Sequence, residues 1–362
     1  MTEKVDVLVV GAGPAGSVAA RYAAEKGVSV KILERRKEVG VPVRCGELIP
    51  SLEETYGSFP KVEDLETTME YPSSLITREI EGMRFTSPKG KVTEFPFTGY
   101  TVDRDRFDQH LASKAVEAGA ELKTGCGFLR IEDGKAVTED GTIEYKTIIG
   151  ADGPSSRVSR ELGLPANKNL YPAVTTIADG DFEPVIEMFF GGIAPGAYSW
   201  IIPKSGCANV GVGFAPKFSS GRPTEYFENF SKKMGFEITR EIKGKYVPSE
   251  GPISRTVAGN GAVVGDAAGQ VASVNGGGIP QAMISARICG TVAAEHILDG
   301  RPLQDYDTEF RRVIGGPLKT AAFNKKLADS LAFKTDFRTD LCMSILGKRR
   351  MANLVRCKRI FP

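Results

Sequence analysis

Val5-Asp6-Val7-Leu8-Val9-Val10-Gly11-Ala12-Gly13-Pro14-Ala15-Gly16 decides the fold of this 362-residue chain. Its first half is apolar and rich in β-branched residues, as in a parallel strand buried on both faces. Pro14 to Lys26 then reads as a helix, with small residues at Ala15, Ala19, Ala20, Ala23 and Ala24 and a stop at Gly27. Val28 to Glu34 is the next strand and closes a βαβ unit. In the Gly-x-Gly-x-x-Gly turn, Gly11 permits the tight bend, Gly13 lets backbone approach a pyrophosphate, and Gly16 lets helix and strand pack closely. The helix start at Pro14-Ala15-Gly16 adds free N–H groups and a partial positive charge for the phosphates. Glu34, 18 residues beyond Gly16, ends the second strand, where a carboxylate accepts hydrogen bonds from an adenosine ribose. On these residues alone the ligand is NAD or FAD.

Further along, Ala262-Val263-Val264-Gly265-Asp266 is another short buried strand, continued by Ala267-Ala268-Gly269. The chain therefore returns to the nucleotide fold, as a long two-part ligand requires. Val274-Asn275-Gly276-Gly277-Gly278-Ile279-Pro280 leads into a helix reaching Leu298, with Pro favourable in its first turn. A helix starting at Gly278-Ile279 aims its positive end at the pyrimidine edge of a flavin. Between these segments the pattern changes. Met83–Phe85 and Lys91–Phe95 alternate around Ser87-Pro88-Lys89-Gly90 like an antiparallel hairpin, and Thr175–Phe214 is again strands with Gly/Pro turns. Arg104–Ala118 is an amphipathic helix, and short strands follow at Glu121–Lys123, Phe128–Ile131, Lys135–Thr138 and Thr147–Ala151.

The expected fold is α/β, with a Rossmann-type FAD-binding domain interrupted by a β-rich substrate domain and followed by a helical C-terminal region. The expected boundaries are 1–60, 101–160 and 255–298 for the FAD-binding domain, 61–100 and 161–254 for the β-rich domain, and 299–362 for the helical region.

Composition excludes several classes. Only two histidines are present, His110 and His296, which rules out a multi-His zinc enzyme and disfavours a His-dependent triad. Both read as incidental residues on helix surfaces. The six cysteines contain no C-x-x-C pair and fit reduced thiols better than a disulfide framework or an iron–sulfur site. No metal site is expected. No apolar run reaches the roughly 18 residues that span a bilayer. The net charge of +2 calls for no nucleic acid, yet residues 301–362 hold 14 Lys+Arg against 6 Asp+Glu. A basic tail of this kind either forms a solvated helical face or lies on an anionic lipid surface.

Ala151-Asp152-Gly153-Pro154-Ser155-Ser156-Arg157 resembles the Asp-Gly signature of flavin hydroxylases. Arg104-x-x-Phe107-Asp108-x-x-Leu111 resembles the helix start that presents an Arg to the cofactor in that superfamily. Asp266 resembles the Asp that binds the flavin ribityl chain there. More specific are Pro42-Val43-Arg44-Cys45-Gly46-Glu47 and Tyr198-Ser199-Trp200-Ile201-Ile202-Pro203-Lys204. Together they resemble the archaeal geranylgeranyl reductase family, within the p-hydroxybenzoate hydroxylase-type FAD superfamily. The family pattern P-x-x-Y-x-W-x-F-P is met at Pro195, Tyr198, Trp200 and Pro203, with Ile202 in place of Phe. The resemblance runs from about residue 4 to about residue 300.

It implies FAD as cofactor and saturation of isolated C=C bonds in geranylgeranyl chains of archaeal ether-lipid precursors. Gly11, Gly13, Ala15, Gly16 and Glu34 are then expected to hold the AMP half. Arg104 and the strand region at Gly127 would steady the adenine side. The loop carrying Arg44, Cys45 and Gly46 would pass the cofactor, with Asp152 nearby, and Asp266, Gly278 and Ile279 would hold the isoalloxazine half. Tyr198, Trp200 and Pro203 would line the substrate slot. From its surroundings in sequence Cys45 is a small packing residue or a proton donor, and the resemblance implies the donor or relay. Rival readings are a flavin monooxygenase or halogenase on the same fold, and an electron-transferring flavoprotein. No second Gly-x-Gly-x-x-Gly follows a strand, so the electron donor stays open among reduced ferredoxin, NAD(P)H and a quinone-type carrier. The expected location is cytoplasmic, peripheral to the inner face of the membrane.

Overall fold

The computed structural model describes residues 3–219 and 221–361. The chain opens with β1 (Glu3–Val10), α1 (Pro14–Ala24) and β2 (Val30–Glu34). There follow β3 (Leu48–Pro50), α2 (Leu52–Ser58), α3 (Leu65–Thr68), the long hairpin β4 (Ile76–Thr86) and β5 (Val92–Val102), and α4 (Arg104–Glu117). Next come β6 (Glu121–Thr124), β7 (Phe128–Glu132), β8 (Lys135–Thr138), β9 (Gly141–Gly150) and α5 (Arg157–Glu161). The middle of the chain forms β10 (Leu170–Asp179), β11 (Val185–Phe189), β12 (Ser199–Lys204), β13 (Cys207–Gly213), α6 (Pro223–Met234) and β14 (Lys243–Pro248). It ends with β15 (Val257–Ala258), β16 (Gly261–Val263), α7 (Ile279–Asp299), α8 (Asp305–Phe310), α9 (Gly316–Leu331) and α10 (Asp336–Val355).

Two sheets result. The first runs β15-β16-β9-β1-β2-β6, and β1 pairs in parallel with both β2 and β9. Val7, Leu8 and Val9 of β1 have no exposed surface, because helices cover one side and β7–β8 with its neighbours covers the other. The second sheet runs β14-β10-β13-β12-β11-β4-β5-β3 and is antiparallel except where β11 joins β4. Strand β3 lies before residue 60, in the stretch the sequence groups with the nucleotide fold, yet it hydrogen-bonds in the second sheet through β5.

Helix α7 crosses α1 at Gly290, where a β-carbon would lie 2.1 Å from the Ala19 carbonyl oxygen. Only glycine lets the two helices approach so closely. The C-terminal helices wrap back over both sheets. Met351, Ala352 and Val355 of α10 are buried against Trp200 and Ile202 of the second sheet. Neither histidine is fully at the surface. The Nε2 of His110 is buried without a partner, and the Nδ1 of His296 meets the Arg301 carbonyl at 2.7 Å. All six cysteines are free thiols, Cys342 and Cys357 included.

Candidate active site

The phosphate turn lies between β1 and α1. Gly11 has φ +105, and a β-carbon there would meet the Ala151 carbonyl at 2.4 Å. A β-carbon on Gly16 would sit 1.7 Å from the Gly11 carbonyl oxygen. At Gly13, by contrast, a β-carbon would meet nothing within 4 Å. The turn is therefore sealed against the protein at Gly11 and Gly16 and open at Gly13. Helix α1 starts at Pro14 with no side-chain cap, so its first N–H groups point into that open space. Glu34 accepts from the backbone N–H of Ala12 and of Arg36, each at 3.0 Å, and so fixes the turn to the end of β2. These features fit the diphosphate and ribose of FAD.

Arg36 completes this end and was not picked out by motif. It forms no ion pair among the described residues, and burial pulls its pKa down against the pull of Glu34. An uncompensated guanidinium beside a phosphate turn suits an anionic ligand. Arg44, next to it, is exposed.

Two expected contacts are spoken for within the protein. Asp152 accepts from the Ser156 hydroxyl at 2.5 Å and from the backbone N–H groups of Arg157 and Val158, so its carboxylate serves the start of α5. Gly127 donates to Glu139 Oε2 at 2.8 Å, and its carbonyl accepts the Glu139 N–H at 3.1 Å. Its backbone is thus paired with β8's end and not free for an adenine ring.

The Arg104 guanidinium makes a two-pronged pair with Asp108, at 2.9 Å on each prong, and its charge faces the Cys45 sulfur. Its guanidinium is therefore committed to Asp108 and stands beside the Cys45 loop. Burial acts to strip its proton, but the Asp108 carboxylate outweighs burial and keeps it cationic. Lys245 of β14 reaches the same place. Its ammonium lies 2.7 Å from Asp266 Oδ2. Burial opposes its charge too, and Asp266 again prevails. Asp266 follows β16 in a single helical turn, and a β-carbon on Gly278, the residue before α7, would approach its Oδ1 to 3.4 Å. Ile279 opens α7 and is buried.

Tyr198 closes the cleft from the second sheet. Its hydroxyl donates to the Asn275 carbonyl in the glycine-rich loop before α7. Burial pushes its pKa well up. Its ring meets Trp200 edge-on at 6.0 Å. Cys45 thus has as neighbours Arg104 of α4, Lys245 of β14 and Tyr198, the residue before β12.

The Cys45 loop is held by a buried polar network absent from the motif reading. Asn209 of β13 donates to the Cys45 carbonyl at 2.7 Å and to Glu47 Oε2 at 3.1 Å. The Trp200 Nε1–H donates to Asn209 Oδ1 at 2.9 Å. Lys204 pairs with Glu47 at 2.9 Å and with Asp103 at 2.6 Å, and the Arg104 N–H donates to Glu47. Trp200 therefore orients the loop through Asn209, beyond the lining role its motif implies. Ile202 presses on Gly46, where a β-carbon would come within 2.9 Å of its Cδ1. Pro203 is buried in β12, and its carbonyl accepts the Thr101 hydroxyl.

Residues 4–183 match the FAD binding domain family, and residues 171–246 match the geranylgeranyl reductase catalytic domain family. A digeranylgeranylglycerophospholipid reductase of Methanosarcina acetivorans is 38% identical over 83% of this chain and 77% of its own length. The chain belongs to that reductase family. A second member, from Methanothermobacter thermautotrophicus, is 37% identical over 91% of this chain and 89% of its own. The crystal structure of a geranylgeranyl bacteriochlorophyll reductase-like protein from Thermoplasma acidophilum superposes with a TM-score of 0.83 at 27% identity, covering 95% and 92% of the two chains. A flavin-dependent brominase superposes at 0.72 with 19% identity, covering 98% and 94%, and shares the fold alone. The cofactor of this family member is FAD, and the chain is an oxidoreductase of the C=C-reducing kind.

Proposed function

We propose that the chain saturates the isolated double bonds of geranylgeranyl chains on archaeal ether-lipid precursors. The convergence of Cys45, Arg104, Lys245 and Tyr198 beside Asp266 carries this reading, in a chain that aligns along most of its length with reductases of that name. FAD, when bound and reduced, supplies a hydride. An isolated trisubstituted alkene has no carbonyl to polarise, so its other carbon must receive a proton. Cys45 gives that proton from Sγ. Arg104 and Lys245 face the sulfur and balance the charge left there. Tyr198, Trp200 and Ile202 wall the site and keep water from it. Gly11, Gly13, Ala15, Gly16, Glu34 and Arg36 hold the adenosine diphosphate half, and Asp266, Gly278 and Ile279 hold the flavin half. Reduced ferredoxin or NAD(P)H reloads the cofactor, and the protein works at the membrane surface where its substrate resides. Among the described residues no helix is long and apolar enough to cross that membrane.

The test is anaerobic. Holoprotein reduced with dithionite should be reoxidised by geranylgeranyl glycerol lipid, and product mass should rise by two hydrogens per bond. Reoxidation by oxygen with hydroxylated or halogenated product, and none with the lipid, would refute the reading. A narrower expectation concerns Asp266→Ala. Loss of one charge-assisted hydrogen bond costs about 1.5–3 kcal/mol, so FAD should bind roughly 10–100-fold more weakly. The variant should leave gel filtration pale. A wild-type ratio of flavin to protein absorbance, with unchanged affinity, removes Asp266 from the flavin contacts.

A further inference from the structure

Eleven large hydrophobic side chains are exposed among the described residues, and six of them lie between Phe323 and Phe361. Phe337, Leu341 and Ile345 are 64%, 48% and 59% exposed. Their spacing of four places them on one face of α10, over its first half. Gly347, at φ +63 and ψ 177, ends that half and lets the remainder turn into the protein. The buried remainder packs on Trp200 and Ile202, and the Val355 carbonyl accepts from Asn275, whose own carbonyl binds Tyr198. One element thus joins an exposed apolar stripe to the wall of the active site.

Cations flank the stripe. The Lys89 ammonium lies 5.5 Å from the Phe337 ring centre, and Lys91 reaches Ser344. Arg349, Arg350 and Arg359 line a shallow depression with Leu346 and Phe361 at the far end. None of these five, nor Arg338, forms an ion pair among the described residues. The nearby carboxylates are turned inward, Asp336 to the Gly192 N–H and Asp340 to the Ser87 hydroxyl. Apolar side chains ringed by unpaired cations match the acyl boundary and phosphate layer of an anionic bilayer. A second copy of the chain would bring like charges together on such a face.

We infer that this face of α10, with the β4–β5 turn, is where the protein docks on an anionic phospholipid surface, so that a prenyl chain leaves the bilayer along α10 toward Tyr198. The inference rests on the lipid-reductase reading and names the surface that reading lacks. Flotation of the holoprotein with phosphatidylcholine vesicles, and with vesicles also containing phosphatidylglycerol, tests it. Binding to the anionic vesicles should be at least about tenfold stronger and should weaken as salt is added. The variants Phe337→Ser/Leu341→Ser/Ile345→Ser and Arg338→Gln/Arg349→Gln/Arg350→Gln should each lose at least about tenfold of that binding. Both should keep wild-type FAD content, melting temperature and dithionite-driven reduction of detergent-dispersed lipid. Equal binding to neutral and anionic vesicles, wild-type binding by either variant, or a dimer in sedimentation that the serine variant abolishes would overturn the proposal. Anionic binding without alkene reduction in detergent would instead sink the reductase reading and, with it, the path along α10.

Discussion

Cys45→Ala is expected to purify yellow, take electrons from dithionite at the wild-type rate, and then stall at the alkene. Its phosphate turn, Glu34 and Asp266 are untouched, so neither cofactor affinity nor loading should change. The proton is missing, and with it the sulfur that accepts the Glu47 N–H at 3.2 Å. Loss of a positioned acid or base costs about 10²–10⁴-fold in rate, and flavin reoxidation by lipid should slow by that factor. The surroundings of the thiol sharpen the expectation. Arg104 and Lys245 remain cationic beside position 45, and neither can readily give up a proton while held by Asp108 and Asp266. Tyr198 is a poor acid there, since burial drives its pKa up and its hydroxyl is committed to Asn275. No neighbour is placed to substitute for the thiol. Cys45→Ser should recover part of the rate, because a hydroxyl fits the space but holds its proton more tightly. Stopped-flow reoxidation with product mass analysis reads all three proteins, and wild-type turnover by Cys45→Ala would return the residue to packing.

The βαβ unit was legible because its signals are local. A β-branched run, a glycine turn and a terminal acid stand within Val5–Glu34, and β1, α1 and β2 fall there within a few residues. The motif around Tyr198 was legible for the same reason. The network under Cys45 was not. Glu47, Lys204 and Asn209 are polar residues of ordinary appearance, and Asn209 meets Glu47 across 162 positions of chain. Nothing in their spacing shows that the Cys45 loop and strands β12 and β13 will bury them together, although the charged residue that closes each of the two diagnostic motifs was a signal. The partner of Arg104 was not legible from its motif. The motif fixes its helix position, but Asp108, one turn later on the same helix, decides where its guanidinium points. In the C-terminal region the excess of basic residues was visible. The stripe of Phe337, Leu341 and Ile345 was not, because apolar residues at helical spacing ordinarily face a core, and only tertiary packing shows that here they do not.

Glu47→Ala is the larger disturbance to stability. Glu47 is 3% exposed, and its carboxylate receives Lys204, Asn209 and the Arg104 N–H. It also holds φ at +65, a conformation that costs a side chain about 1–2 kcal/mol and persists only where contacts enforce it. Removing the carboxylate leaves Lys204 buried with half its compensation and Asn209 short of an acceptor. Breaking a buried pair from one side costs about 3–5 kcal/mol, which urea unfolding of the holoprotein should show as a lower midpoint at unchanged slope. Two further variants separate the causes. Glu47→Gly loses the same contacts but relieves the backbone, so it should unfold about 1 kcal/mol later than the alanine variant. Glu47→Leu with Lys204→Met removes both charges and should regain much of the loss, since Asp103 is partly open to solvent and needs no partner. Its turnover should stay low even so. The Cys45 carbonyl would retain Asn209, but the Glu47 side of the loop would be free, and the thiol would no longer be held at one place above the alkene. A double variant with wild-type turnover would mean that Asn209 alone positions Cys45.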